Sequence, residues 1–281
     1  MLIWLIPLII ILLLLFLTHP SLRYSKCRRW RGERFAHRGL HDGNRHIVEN
    51  TLQAFTAARD AGFGMELDIQ FSKDRQVVVF HDDDLFRLTG IRRDVRDLTL
   101  DELRAFPLAD RDDAHIPTFR EVLDTVGGKT PLLIELKTGK DNATLCSAAM
   151  SLLRDYPGEY IVESFNPLIV AWFRFHAPGI VRGQLVCPVR GYGKAVNAIV
   201  SWFLAGLLYN FIARPDFIAY DVSDPHFRAP RLQRALYRTP MAAWTVRDPD
   251  TAARVRARNE IIIFEGFQKP SPSGEGGTAQ P

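Results

Sequence analysis

The sequence predicts an α/β protein: a TIM-type (β/α)8 barrel with a hairpin insertion, preceded by one N-terminal transmembrane helix. Three observations carry that expectation. From residue 34 to residue 267 short apolar runs alternate with helical patterns, and repeated β-α alternation builds a parallel sheet. That stretch also has the length one closed barrel occupies. An apolar run over residues 2–17, broken in character only by Pro7, predicts the helix in front.

The first run sits near the short end of a bilayer span at about 1.5 Å per residue. A cleaved signal peptide would want a basic leading region and a small-residue cleavage site. Here only Met1 precedes the run, and Thr18-His19-Pro20 follows it. Residues 1–19 therefore read as a retained anchor and 20–33 as a basic juxtamembrane linker, with Arg23, Lys26, Arg28, Arg29, Arg31 and Arg34 crowding one juncture. Such a cluster favours its own side of the span lying in the cytoplasm, which predicts a single-pass membrane protein with a cytoplasmic barrel. It could also hold anionic headgroups of membrane lipid, at about 1 kcal/mol per basic residue near the surface.

Strand candidates are 34–37, 65–69, 77–81, 132–136, 160–163, 181–186, 216–220, 242–246 and 261–264. Helical stretches such as 49–61, 143–154, 167–176 and 249–258 lie between most of them. Nine strands compete for eight barrel places. The run 77–81 follows 65–69 too closely for a parallel crossover, so it reads as a hairpin partner turning at Lys73-Asp74. That pairing would place His81 opposite Glu66, with Asp68 on the same face, because side chains alternate with period two. Residues 70–117 then form an insertion on one face of the barrel, and Pro117-Thr118 opens the helix that returns to it. The barrel domain spans 34–267.

Residues 195–213 carry no charge, where an outer barrel helix would show one polar face. A second span would put later strands across the bilayer from earlier ones, which one barrel forbids. The segment reads as a helix in the membrane interface, with Trp202 and Tyr209 at headgroup depth; the alternative is a helix capping the barrel or a subunit contact. Residues 268–281, mostly Pro, Ser, Gly, Thr and Gln, read as a disordered tail.

The formal net charge is +4 with pI ≈ 9.0, and the excess is local, so no nucleic acid partner is implied. Cys27, Cys146 and Cys187 are odd in number and far apart, suggesting neither a disulfide framework nor a zinc site.

The chemistry-bearing residues gather at or beside strand-like segments: His37-Arg38-Gly39, Glu66-Leu67-Asp68, His81-Asp82 and Glu135-Leu136-Lys137. Two imidazoles, several carboxylates, an arginine and a lysine suit the breaking of a phosphodiester. Glu66, Asp68 and Glu135 are hard oxygen ligands for a divalent cation at strand ends, unless they make ordinary ion pairs at the barrel rim. A free imidazole titrates near neutral pH, which makes His37 and His81 the acid/base candidates. Arg38 offers a planar fork for phosphate oxygens and Lys137 a point charge; Arg38 could instead partner Glu49 or Asp68. Glu49 reads as favouring the first turn of its helix through the dipole rather than as a ligand. Asp82 reads as orienting its neighbours, and Trp244 as lining the mouth or merely packing. His41, His46, His115, His176 and His226 have no comparable context.

In order along the chain, His37-Arg38-Gly39, Glu49-Asn50-Thr51, Glu66-Leu67-Asp68, His81-Asp82, Ile116-Pro117-Thr118, Glu135-Leu136-Lys137, Ser164-Phe165 and Trp244-Thr245-Val246 closely resemble the glycerophosphodiester phosphodiesterase family, barrel enzymes related to phosphatidylinositol phospholipases C. The resemblance implies hydrolysis of glycerophosphodiesters to glycerol 3-phosphate and an alcohol, with Mg2+ or Ca2+. It implies that one histidine assists attack and the other protonates the leaving alcohol, without saying which. Three departures stand out: Val48 where many members have Pro, Arg75 in place of a turn glycine, and Phe264-Glu265-Gly266-Phe267 where many have Thr-Asp-x-Pro. Two other readings remain at this point: lysophospholipase D-type activity on lysolipids, motivated by 195–213, and a non-catalytic phosphate- or lipid-binding protein, against which the histidine pair argues.

Overall fold

The computed structural model describes residues 2–193 and 196–266. The tail 268–281, with Phe267, and the first residue of the 195–213 segment lie outside the described residues. In chain order the strands are β1 (Arg34–Ala36), β2 (Gly64–Phe71), β3 (Val77–Val79), β4 (Leu132–Leu136), β5 (Tyr160–Ser164), β6 (Arg182–Val186), β7 (Phe217–Asp221), β8 (Met241–Val246) and β9 (Ile261–Phe264). The helices are α1 (Leu2–Thr18), α2 (Leu52–Asp60), α3 (Phe86–Thr89), α4 (Leu100–Arg104), α5 (Phe119–Val126), α6 (Asn142–Leu153), α7 (Pro167–His176), α8 (Ala198–Ala205), α9 (Asn210–Ala213), α10 (Arg228–Tyr237) and α11 (Pro249–Ala257). Every strand but β3 is parallel to its neighbours, and pairing of β1 with both β2 and β9 closes the ring. The fold is an eight-stranded parallel barrel with one extra strand.

Alternation decides what each strand shows to the interior. Leu67, Ile69, Ile134, Leu136 and Val162 face outward into the layer shared with α2, α5 and α6. Phe35, Leu133, Ile161, Phe217 and Ile261 face inward and fill the lower barrel. At Gly183 a Cβ would stand 2.2 Å from the Phe217 ring, so only glycine lets that ring fill the centre. Above this apolar plug the inward positions change character, to Glu66 and Asp68 on β2, Glu135 on β4 and Glu163 on β5.

The basic segment 20–33 folds back against the barrel. Tyr24–Trp30 forms a short 3-10 helix, and Cys27 and Trp30 are buried against the inward plug, closing the N-terminal end of the barrel. Arg23 Nε donates to Asp216 Oδ1 at 3.0 Å, and Arg182 lies 3.5 Å from the same buried carboxylate.

The expected transmembrane helix also needs correction. Helix α1 has 17 residues, about 25 Å at the helical rise against a hydrocarbon core of about 30 Å. No helix among the described residues is long and apolar enough to cross a membrane. Among the described side chains only the end of α1 meets the barrel. Phe16 packs on Phe211 with centroids 5.8 Å apart, and the last carbonyls accept from Tyr237, Asn210 and Gln233, which satisfies the helix C-terminus. Its other apolar residues, Leu5, Ile6 and 8–14, are 44–61% exposed.

The hairpin exists but its register differs from expectation. Ile69 pairs with Val79, Gln70 with Val78 and Phe71 with Val77, so the position facing His81 falls at Leu67 rather than Glu66. The turn between β2 and β3 uses Arg75 at φ 65°, a left-handed residue where glycine is the easier choice. Beyond it the insertion builds its own small core around Phe80, Leu85, Leu88, Leu103 and Ile116, into which Val48 also packs. Thr118 and Glu121 then form a reciprocal capping box that starts α5.

The segment 195–213 is not one interfacial helix. It breaks at 206–209 into α8 and α9, with Leu207 at φ 57° and buried. Only α8 presents a wet apolar side, with Ile199 69% and Trp202 61% exposed. Tyr209 is half-buried.

Candidate active site

The first histidine is placed by a tight reversal after β1. His37 N–H donates to the Phe264 carbonyl at 2.9 Å, and Asn50 N–H to the Arg38 carbonyl at 2.8 Å. Arg38 adopts φ 55°, an uncommon conformation costing about 1 kcal/mol. Gly39 follows at φ 80°, where a Cβ would meet Ala54 Cβ at 2.8 Å. The motif glycine is therefore what allows the turn to lie on α2. The reversal aims Arg38 N–H at Glu66 Oε2, 2.9 Å away.

Ligand atoms of Glu66, Asp68 and Glu135 lie within 4.8 Å of one another, all three residues buried. Barrel register explains the convergence, since Asp68 is the cross-strand partner of Glu135. Burial pushes the Glu66 carboxyl well above its usual range, and Asp68 and Glu135 push it further. Burial and Asp68 likewise raise Glu135, against the pull of Lys137. Asp68 is also buried, but Lys137, His81 and Arg38 together hold it well below the usual carboxylate range. Lys137 Nζ stands 3.3 Å from Asp68 Oδ1 and 3.0 Å from Glu135 Oε1, and Asn50 Nδ2 donates to Asp68 Oδ2 at 2.9 Å.

Glu163, which sequence reasoning missed, extends this row. It is the cross-strand partner of Glu135, its Oε2 is buried without a hydrogen-bond partner, and burial with Glu135 and Asp68 pushes its carboxyl well up. Crowded carboxylates with an orphaned oxygen are an unbalanced arrangement that a cation would balance. The donors are all oxygens, which suits a hard divalent ion. The residues fit such a group.

Both histidines are held through Nδ1. His37 Nδ1 lies 2.9 Å from Glu265 Oε2, and His81 Nδ1 lies 2.6 Å from Asp82 Oδ1. An ionised carboxylate can only accept, so Nδ1 carries hydrogen and Nε2 is left for proton transfer. Burial pushes His37 down to about 4, against the opposing pull of Glu265. The His37 hydrogen bond holds Glu265 down at about 2. Gln70 Nε2 donates to the Phe80 and Asp82 carbonyls at 2.9 and 2.8 Å, fixing the backbone on either side of His81.

Arg38 takes the alternative its neighbours allowed. Its NH1 donates to Glu49 Oε1 at 2.6 Å and its Nε lies 3.7 Å from Asp68. Glu49 also accepts from Asn44 and Arg87. The helix cap is Thr51, so Glu49 lies ahead of the first turn and serves as an anchor for cations, not as the helix-dipole partner expected.

These groups share a cavity of about 650 Å3, whose wall includes His37, Arg38, Glu66, His81, Glu135, Lys137 and Glu163. Phe165, Tyr192 and Trp244 form an apolar side, with Trp244 and Phe165 edge to face at 5.6 Å. Of the residues not anticipated, Glu163 could have been read from the alternation along 160–163, whereas Glu265 registered only as a departure from a familiar pattern. The site combines proton-transfer groups, fixed cations and a cation-ready carboxylate cluster, which is the equipment for hydrolysing a phosphate ester.

Residues 37–264 match the profile of the glycerophosphoryl diester phosphodiesterase family. YhdW of Bacillus subtilis, which carries the glycerophosphodiester phosphodiesterase name, is 31% identical over 233 residues, 79% of this chain and 89% of its own. Lysophospholipase D GDPD1 of Rattus norvegicus is 33% identical over 160 residues, 52% of this chain and 49% of its own. Among solved structures, a glycerophosphodiester phosphodiesterase from Thermotoga maritima superposes with a TM-score of 0.60 at 26% identity, covering 82% of this chain and 93% of that one. An Oleispira antarctica phosphodiesterase in complex with the product sn-glycerol-3-phosphate shares the fold at a TM-score of 0.67 and 21% identity, over 85% of this chain and 94% of its own. With the family profile spanning nearly the whole barrel, the chain belongs to the glycerophosphodiester phosphodiesterase family and is a phosphoric diester hydrolase.

Proposed function

We propose that this enzyme hydrolyses glycerophosphodiesters to glycerol 3-phosphate and an alcohol at a membrane surface, with a divalent cation and two histidines. The observation that carries the reading is the convergence of Glu66, Asp68 and Glu135 to within 4.8 Å in a cavity walled by His37 and His81. Those three carboxylates would hold Mg2+ or Ca2+, which when bound would polarise the phosphate and offset the crowded negative charge. Lys137 and the Arg38 turn place fixed positive charge beside the phosphate. His37, neutral at pH 7 because burial holds it at about 4, accepts at Nε2 a proton from the water that attacks phosphorus. His81, whose side chain is 32% exposed against 13% for His37, delivers a proton to the departing alcohol on the open side.

Seating on a membrane is supported by two apolar surfaces, the free length of α1 and the outer side of α8. The three cysteines are free and buried, which suits a cytoplasmic barrel. Because α8 packs on the turn Val189–Tyr192, whose Tyr192 lines the cavity, an acyl chain has an apolar place near the mouth. That favours lysophospholipids as a second substrate class.

The test is turnover of glycerophosphodiesters and lysophospholipids of graded chain length, with EDTA and metal add-back. Loss in chelator restored by Mg2+ or Ca2+ is expected; full activity in excess chelator refutes the cation. Rates that ignore chain length, or fall with any acyl chain, leave only the deacylated substrates.

A further inference from the structure

Arg87, on the insertion helix α3, touches none of the three clustered carboxylates, yet its guanidinium joins both halves of the site. Nε donates to Asp82 Oδ2 at 2.7 Å, and Asp82 Oδ1 holds His81 Nδ1 at 2.6 Å. NH1 and NH2 grip both oxygens of Glu49 at 2.9 and 2.6 Å, and Glu49 holds Arg38 at 2.6 Å. His81 and Arg38, on separate segments, are thereby tied through one planar fork.

We propose that Arg87 is a positioning residue for the hydrolysis, locking the His81 imidazole through Asp82 and the Arg38 turn through Glu49. The inference rests on the acid role given to His81 above. His81 needs such support because β3 ends at Val79, so no ladder hydrogen bond fixes its own position. Gln70 secures the backbone but leaves the ring free to turn about its side-chain bonds. Among the described residues Asp82 is the ring's only hydrogen-bonding anchor, and Arg87 holds the opposite oxygen of that carboxylate. The geometry requires arginine: three donors in one plane serve two carboxylates, whereas lysine offers a single point charge on a flexible stem. The insertion 70–117 is thus part of the catalytic apparatus and not an ornament of the barrel rim.

The test is steady-state kinetics on glycerophosphocholine with saturating divalent cation, alongside thermal melts of each variant. Arg87→Ala should lower kcat about a hundredfold while KM stays within about threefold, since a mispositioned acid affects the transition state more than binding. Arg87→Lys should remain at least about tenfold impaired, because charge alone does not rebuild the fork. His81→Ala/Arg87→Ala should fall well short of the product of the two single losses, because the His81 arm is already gone and only the Arg38 arm remains to lose. Asp82→Asn, nearly unchanged in shape, breaks the same link and should give the same kcat loss should Arg87→Ala fail to fold. Wild-type kcat in a folded Arg87→Ala or in Asp82→Asn, full rescue by lysine, or losses that multiply in the double variant would each overturn the inference. A wild type indifferent to His81→Ala would refute the functional reading itself and this inference with it.

Discussion

His37 and His81 are held alike but placed differently, one sealed against β9 and the other at the open edge. His37→Ala and His81→Ala should each reduce turnover by at least about a hundredfold, the loss typical of a positioned acid or base, with circular dichroism unchanged. Near-normal turnover in either variant would remove that residue from the mechanism. Glu163 offers a separate test in stability. Its carboxyl is raised by burial and by Glu135 and Asp68, so folding favours the protonated form. That contribution is complete below the ordinary glutamate range and is lost as pH rises toward the folded value. Glu163→Gln removes the penalty. Without divalent cation the variant should match wild type near pH 4 and gain about 1 kcal/mol per pH unit above that, until the folded value is passed. Urea unfolding at a series of pH values measures it; a constant difference across pH would mean Glu163 ionises as freely in the fold as in the unfolded chain.

At the level of elements, the segment ahead of β1 matters most for stability. Trp30 is 4% and Cys27 1% exposed, and both complete the inward plug. A chain starting at Pro20 keeps that closure, whereas one starting at Arg31 strips it and leaves Asp216 without Arg23. Losing a buried Trp costs about 3–5 kcal/mol, so the shorter chain should melt about 10 °C or more below the longer one. Differential scanning calorimetry of the two decides; equal melting would show that the plug adds nothing. The hairpin carries a related lesson. A turn that places Arg75 in the left-handed region shifted the pairing by one residue, and Gln70, rather than a Glu66–His81 pair, came to fix the backbone at His81.

For the whole molecule, the apolar surfaces lie on neighbouring helices: α1 docks on α9, which continues α8. Ile199 and Trp202 are three apart on α8 and share one side. A protein starting at Pro20 should co-sediment partly with anionic vesicles, and Ile199→Asp with Trp202→Asp should release it. The full chain carrying the same pair should stay bound through α1. Complete solubility of the Pro20 protein as a monomer would dismiss α8 as a membrane seat, and solubility as a dimer would make that side a subunit contact.

Local pattern was enough for most of the architecture. Alternation and helical spacing placed β4 and β9 at 132–136 and 261–264 and α7 at 167–176, because those signals need only neighbours within one or two turns. The motif residues were also legible, since each sits at the end of such a segment. Barrel closure decided the rest. It brought Glu265 to His37 across 228 positions, Arg87 to Glu49 across 38, and Glu163 beside Glu135 on the next strand. It also brought Cys27 and Trp30 of the basic stretch 20–33 into the floor of the barrel. Which charges meet, and so which carboxylates are raised and how far burial lowers His37, depends on distances that only the closed ring of strands creates.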